Sequence, residues 1–275
     1  MAAIVEEAVA GDGDQGGVAV YDAFPVASYP CGVISADTSV GGRRKQEDRF
    51  CVCPQIVKGD PSSCFLGVWD GTVGHFASHN VRSLVLPAIQ KTEAWAQLLK
   101  ARVQPGIAED AVTKFMKEAV HDGFQLADSQ LLELCAKEKQ HYASTTGVVV
   151  LIVDGILTVG HVGDSRAVIG TSYDSSEDRG WSAIRMTEDH KPNMPEEQQR
   201  IEAHGGSVEY LKDSNYKPFI RGGDFLQRKS MGEKVYQLQY SRAFGGKDLK
   251  PFGLSAVPDV KSYRIVMNND VGVAV

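Results

Sequence analysis

Cysteine is scarce in this chain, with five residues in 275, odd in number and irregularly spaced. That usage argues against a disulfide framework and for reduced thiols in an intracellular protein, cytoplasmic or nuclear. Cys51-Val52-Cys53 is not the C-x-x-C of a redox or zinc site, and strand alternation places both thiols on one face as packing groups. No apolar stretch reaches the ~18 residues of a membrane span. The opening segment, Met1-Ala2-Ala3-Ile4-Val5-Glu6-Glu7, is too short and too acidic for a signal peptide. Basic residues are outnumbered, 29 Lys and Arg against 35 Asp and Glu, and the net charge of -6 argues against nucleic acid as the main partner. There is no internal repeat and no low-complexity block.

What is present fits a globular protein with a large core: 43% hydrophobic and 23% charged residues. Residues 1–28, rich in Gly, Ala and Asp, read as a flexible tail or partner-bound arm, and 29–275 as the folded domain. From Tyr29 to Val68 the text is strand-like. Phe76, Val81, Leu84, Val85 and Ile89 recur at helical spacing and predict a helix over 76–91. A longer helix is expected over 109–139, with Val112, Phe115, Met116, Ala119, Val120, Leu131, Leu132 and Cys135 as its apolar stripe. The period then shortens. Residues 144–153 are β-branched, Asp154-Gly155 predicts a hairpin turn, and 156–162 the returning strand. A short helix follows Pro195 and is closed by Gly205-Gly206. Residues 208–235 are mixed and polar, suiting a surface flap. Its cations Lys212, Lys217, Arg221, Arg228, Lys229 and Lys234 suit either an acidic or phosphorylated protein or plain solvent. Helices set among many paired strands give an α+β class, an antiparallel β-sandwich flanked by pairs of helices.

The run Cys64-Phe65-Leu66-Gly67-Val68 reads as a buried strand that delivers Trp69-Asp70-Gly71-Thr72-Val73 to its end. A carboxylate followed by glycine suits a hard cation, because the side chain supplies anionic oxygens and the adjacent carbonyl can approach the same ion. An ordinary strand-to-turn Asp-Gly has the same sequence. His75 and His79 lie four apart, a zinc-compatible spacing, but no third ligand accompanies them and a wet helical face is the better reading.

Several segments, in order, resemble the metal-dependent type 2C Ser/Thr protein phosphatases (PPM/PP2C-like). They are Arg43 with Glu47-Asp48, Val68-Trp69-Asp70-Gly71, Ala143-Ser144-Thr145-Thr146, Gly163-Asp164-Ser165-Arg166-Ala167 and Asp189-His190-Lys191-Pro192. Glu197, Arg200-Ile201, Gly205-Gly206-Ser207-Val208 and Ser241-Arg242-Ala243-Phe244-Gly245 complete the series. The resemblance implies two stacked antiparallel sheets flanked by helices, and a monomer acting on a phosphoprotein. It implies a site in which two Mg²⁺ or Mn²⁺ ions activate a water for attack on phosphorus. Carried over, Asp70 bridges both ions, the Gly71 carbonyl ligates one, Glu47 and Asp48 hold waters on them, and Asp164 helps bind a third, looser ion. Arg43 offers a planar guanidinium to the substrate phosphate, although a solvated basic loop with Arg44 and Lys45 would look alike. Asp164-Ser165-Arg166 also reads as a turn in which Arg166 pairs with Asp164, and Asp189-His190-Lys191-Pro192 as a structural loop.

Three departures weaken the implied reaction centre. Thr72 stands where family members carry the histidine thought to protonate the leaving alkoxide, and losing a general acid typically costs ~10²–10⁴-fold. Gly246 replaces a ligand aspartate, and Asp248 could substitute only through a rebuilt loop. The last ligand of the family would follow a strand resembling Asp270–Val275, where this sequence stops, so the domain is expected to be C-terminally incomplete. One ion is therefore expected to bind tightly and the second weakly. Two functional expectations follow: a metal-dependent protein Ser/Thr phosphatase, or a pseudophosphatase acting as a phosphoprotein-binding scaffold or regulator. On this resemblance, Thr72→His with Gly246→Asp would rebuild the missing chemistry.

Overall fold

A computed structural model describes residues 24–29, 32–103, 109–174, 179–211, 215–265 and 271–274. The organising layer is a five-stranded antiparallel sheet built from β3 (Arg49–Pro54), β4 (Cys64–Trp69), β7 (Gly147–Val153), β8 (Ile156–Val162) and β14 (Asp259–Arg264). Its order is β14-β8-β7-β4-β3. Strand β7 explains why the sequence there is continuously apolar rather than alternating. Val149, Leu151 and Val153 face one core, whereas Val148 and Val150 face another. Asp154 and Gly155 join β7 to β8 with φ of 51° and 73°, the primed-turn conformation that an Asp-Gly pair adopts readily.

Helices α1 (Phe76–Gln90), α2 (Glu93–Arg102) and α3 (Glu109–Lys137) cover the first face. Val81, Val85 and Ile89 of α1 and Met116, Val120 and Phe124 of α3 pack there with Phe65, Trp69 and Leu151, all fully buried. Helix α2 was not foreseen; Thr92 caps it by accepting the Trp95 N–H at 3.1 Å, and Trp95 and Leu98 anchor it. On the second face, β9 (Val168–Asp174) pairs with β10 (Arg179–Arg185) and β15 (Val271–Ala274), and Ile169, Ala167 and Met186 close the sandwich.

The folded part starts earlier than Tyr29, since β1 (Phe24–Tyr29) pairs with β2 (Gly32–Ala36). The rest of the expected tail, residues 1–23, lies outside the described residues. The helix expected after Pro195 is α4 (Pro195–Ala203). The flap is more ordered than its composition suggested. It comprises the hairpin β11 (Gly206–Leu211) with β12 (Lys217–Gly222), then α5 (Phe225–Ser230); Lys212 lies outside the described residues. As expected, Cys51 and Cys53 share a strand face, with sulfurs 3.3 Å apart and buried. Among the described residues no helix is long and apolar enough to cross a membrane.

Candidate cation and phosphate site

Asp70 stands where β4 leaves the sheet, and two threonines fix its backbone. Its N–H donates to Thr146 Oγ1 at 3.1 Å, and its carbonyl accepts from Thr145 Oγ1 at 2.8 Å and from the Thr146 N–H at 3.0 Å. Thr146 Oγ1 lies 2.6 Å from Ser165 Oγ, which ties the same point to the Asp164 turn. The short ladder of β5 (Gly71–Thr72), β6 (Ser144–Thr145) and β13 (Phe244–Gly245) completes the support. Gly71 is required by close approach: a β-carbon there would lie 2.6 Å from the Glu47 carbonyl and 2.8 Å from Ser78 Oγ.

The Glu47–Asp48 segment is clamped from two sides. Buried Ser78 donates its hydroxyl to the Glu47 carbonyl at 2.5 Å. One nitrogen of Arg49 donates to the carbonyls of Gln46 at 3.1 Å and Asp48 at 2.7 Å. Together these contacts bring Glu47, Asp48, Asp70 and Asp164 to one open cleft of about 840 Å³, with Arg43 also on its wall. The protein packed around the Asp70 carboxyl, then the charges of Asp48, Asp164 and Glu47, push it up to about 6, although the residue's surface opens to the cleft. Among the described residues, no lysine or arginine forms an ion pair with Glu47, Asp48 or Asp70. The carboxylates of Glu47, Asp48 and Asp70, none of them held by a lysine or arginine of the described residues, offer hard anionic oxygens that fit a divalent cation.

The site residues expected from sequence thus converge, with qualifications that only the structure reveals. Arg43 is exposed and shares the cleft wall with Arg44 and Lys45, so geometry does not single it out. Asp164 does not pair with Arg166. That arginine instead grips Asp189 with two hydrogen bonds of 2.9 Å, and Asp164 Oδ2 accepts from Lys191 Nζ. Thr72 Oγ1 accepts from the buried Tyr240 hydroxyl at 2.8 Å, a contact across 168 positions. Asp248 is held by Arg228 at 2.9 Å and is thereby committed to the flap rather than to Asp70. His75 occupies the N-cap position of α1 without a side-chain capping hydrogen bond and, like His79, is exposed, as expected of a solvated helical face.

Sequence reading missed two further clusters. Glu197, 2% exposed, receives both Arg200 and Arg242 as well as the Ser241 hydroxyl. Burial opposes its charge, yet these donors hold its carboxyl down at about 2. The second cluster, His161, His190 and Asp259, has metal-compatible residue types. However, His190 Nδ1 accepts the Gly163 N–H at 3.1 Å, so its proton sits on Nε2, which faces Asp259 Oδ2 at 3.4 Å. His161 Nε2 in turn donates to the Glu188 carbonyl at 2.8 Å. The proton on His190 Nε2 blocks the nitrogen that a metal would need, and the trio acts as a lock on the 188–191 loop.

The antiparallel sandwich thus brings the acids that precede β3 and follow β4 and β8 to one cleft, with Arg43 of the preceding loop on its wall. The protein phosphatase 2C family model matches residues 33–273, and the chain belongs to that family. It is 32% identical to probable protein phosphatase 2C 2 of Arabidopsis thaliana over 62% of this chain and 37% of that protein. Probable protein phosphatase 2C 48 of Oryza sativa subsp. japonica is 29% identical, over 94% of this chain and 74% of its own length. The chain spans between about a third and three quarters of these curated relatives. The crystal structure of serine-threonine phosphatase 2C from Toxoplasma gondii superposes with a TM-score of 0.84 at 45% identity, covering 90% of this chain and 78% of that one. A C. elegans sex determining protein shares the fold at TM-score 0.56 and 21% identity.

Proposed function

We propose that this domain hydrolyses phosphoserine and phosphothreonine in proteins with the help of Mg²⁺ or Mn²⁺. The observation that carries the reading is the convergence of Asp70, Glu47, Asp48 and Asp164 on one cleft with Arg43, in a chain of this family. Asp70 and the Gly71 carbonyl would hold the cation, with Glu47 and Asp48 facing it from the clamped segment. Asp164, already bonded to Lys191, contributes less. When bound, the ion offsets phosphoryl charge and makes water a competent nucleophile near neutral pH. Arg43 orients the phosphate through its planar donors. Thr72 supplies no proton near neutral pH, so the leaving alkoxide is protonated from solvent and turnover is slow, by ~10²–10⁴-fold relative to a site with a general acid.

A second reading, a phosphoprotein-binding scaffold without turnover, is favoured by the locked Tyr240–Thr72 pair. Release of phosphate from a phosphopeptide separates the two. The expected outcome is slow hydrolysis that requires Mn²⁺, stops with a chelator, and falls roughly 10³-fold or more in Asp70→Asn. Peptide binding with no Mn²⁺-dependent release would instead establish the scaffold.

A further inference from the structure

Register pairs Thr72 of β5 with Ser144 of β6, so their side chains are neighbours on one face of the ladder. The Tyr240 hydroxyl reaches both: it donates to Thr72 Oγ1 at 2.8 Å and lies 3.2 Å from Ser144 Oγ. A tyrosine hydroxyl has one hydrogen and Thr72 receives it, so in the second contact the serine is the donor. The row of hydroxyls is thus directed, from Ser144 through Tyr240 to Thr72. Ser144 and Tyr240 are buried, whereas Thr72 is half-buried and lines the Asp70 cleft. Its oxygen accepts from Tyr240, its own hydrogen is left to give, and among the described residues nothing takes it. Val73 then turns to φ of 63°, strained for a β-branched residue, which leaves Thr72 as the last residue of β5 at the cleft. Tyr240 is well fixed. Its ring packs in one apolar cluster with Leu238, Ala243 and Leu254. Leu238 exchanges backbone hydrogen bonds of 2.9 and 3.4 Å with Ile220 of β12, and the Ser241 N–H donates to the His190 carbonyl at 2.9 Å. Burial pushes the Tyr240 hydroxyl above its ordinary value, so it stays protonated and a donor at neutral pH.

We propose that Thr72 donates this hydrogen to the ester oxygen of the bound phosphoresidue, and that Tyr240, backed by Ser144, is the positioning residue that aims it. This role presupposes the phosphoprotein reading of the cleft. As the oxygen of the attacking water bonds to phosphorus, the bond from phosphorus to the seryl oxygen breaks and its electron pair stays on that oxygen. Thr72 steadies the charge through its hydrogen bond and keeps its proton. The proton that completes the alcohol comes from solvent, and the attacking water gives one back. A directed hydroxyl thereby offsets part of what the absent general acid would supply.

The test is fluorescence anisotropy in Mn²⁺ with two labelled peptides, one bearing phosphoserine and one its phosphonate analogue, in which a methylene replaces the ester oxygen. Wild-type protein should favour the phosphoserine peptide by about three- to tenfold, the range expected of one hydrogen bond. Thr72→Val, which removes the donor, should lose that factor and keep its affinity for the analogue, and Thr72→Ser should retain the factor. Tyr240→Phe should lose it too, whereas a merely structural tyrosine would weaken both peptides alike. The change in ratio between proteins is what is read, so the different acidity of the analogue cancels. Should Tyr240→Phe misfold, the two Thr72 variants carry the test. In hydrolysis, Thr72→Val should slow phosphate release from the phosphoserine peptide roughly tenfold or more, and from p-nitrophenyl phosphate far less, because nitrophenolate leaves with little help. No preference in the wild type, a preference that survives Thr72→Val, or equal slowing on the two substrates overturns the proposal. Equal weakening of both peptides by Tyr240→Phe overturns the part given to the tyrosine. A preference lost in Thr72→Val, in a protein that hydrolyses neither substrate, would support the donor and contradict the catalytic reading. Failure of both peptides to bind would contradict the phosphoprotein reading and the donor together.

Discussion

Replacing Glu197 by alanine is expected to remove about 3–5 kcal/mol of folding stability, the usual cost of leaving buried positive charge without its partner. The carboxylate is buried beneath two arginines, 25% and 14% exposed, with Ser241 as a further donor. Arg242 bridges onward to Asp259, and Arg200 to the carbonyls of Ser241 and Gly253, so one deletion disturbs α4, the 241–245 segment and β14 together. For a domain of this size the loss corresponds to a fall in Tm of roughly 6–20 °C. The pH dependence follows from the same contacts. The folded-state carboxyl is held near 2, below its ordinary 4.5. Its contribution is therefore complete above about pH 5 and lost as pH falls toward 2. Urea unfolding of the wild type and Glu197→Ala at pH 7 and pH 3 measures both. A loss under about 1 kcal/mol at neutral pH would show that the network is not structural.

Gly246→Asp, the substitution that resemblance alone recommends as a repair, is expected to destabilise the domain by about 2–4 kcal/mol and to add no tight cation site. Gly246 adopts φ of 64°, where a side chain is strained. A β-carbon there would lie 2.6 Å from Leu254 Cδ2 and 2.8 Å from the Tyr236 hydroxyl. Overpacking of this kind costs about 1–3 kcal/mol before the backbone strain is added. The loop has little freedom to yield, because the Gly246 N–H is bonded to the Ala143 carbonyl and the Gly245 N–H to Asp128. Lys250 binds Asp128 at 2.7 Å and holds the loop to α3 from its other end. Thermal unfolding and Mn²⁺ titration of the variant test this. Wild-type stability together with a new tight site would show that the space around Tyr236 adapts and that the aspartate alone was missing.

Local chemistry made part of this molecule readable in advance. The β7–β8 hairpin was visible because β-branched runs flank an Asp-Gly pair, and α1 and α3 because their apolar residues recur at 3.6. Asp70 was visible because a buried strand ends on Asp-Gly. The interactions that decide how the site behaves join distant positions, and no periodicity reports them. Tyr240 reaches Thr72, Lys191 takes Asp164, Arg166 prefers Asp189, and Arg228 draws Asp248 to the flap. Each is a choice among several partners of suitable charge, settled by where the sheets place them. Helix α2 escaped notice because its buried face rests on two residues, Trp95 and Leu98, with alanines between polar positions. The flap hairpin escaped because its strands are half exposed and polar, so alternation is weak.

Calorimetric titration of Mn²⁺ into the wild-type protein and into Asp70→Asn bears on the centre of the account, that Asp70 organises a cation site. One tight site should appear in the wild type, with a further event only at millimolar ion, and the tight site should vanish in Asp70→Asn. Two tight sites in the wild type, or tight binding that survives Asp70→Asn, would contradict it.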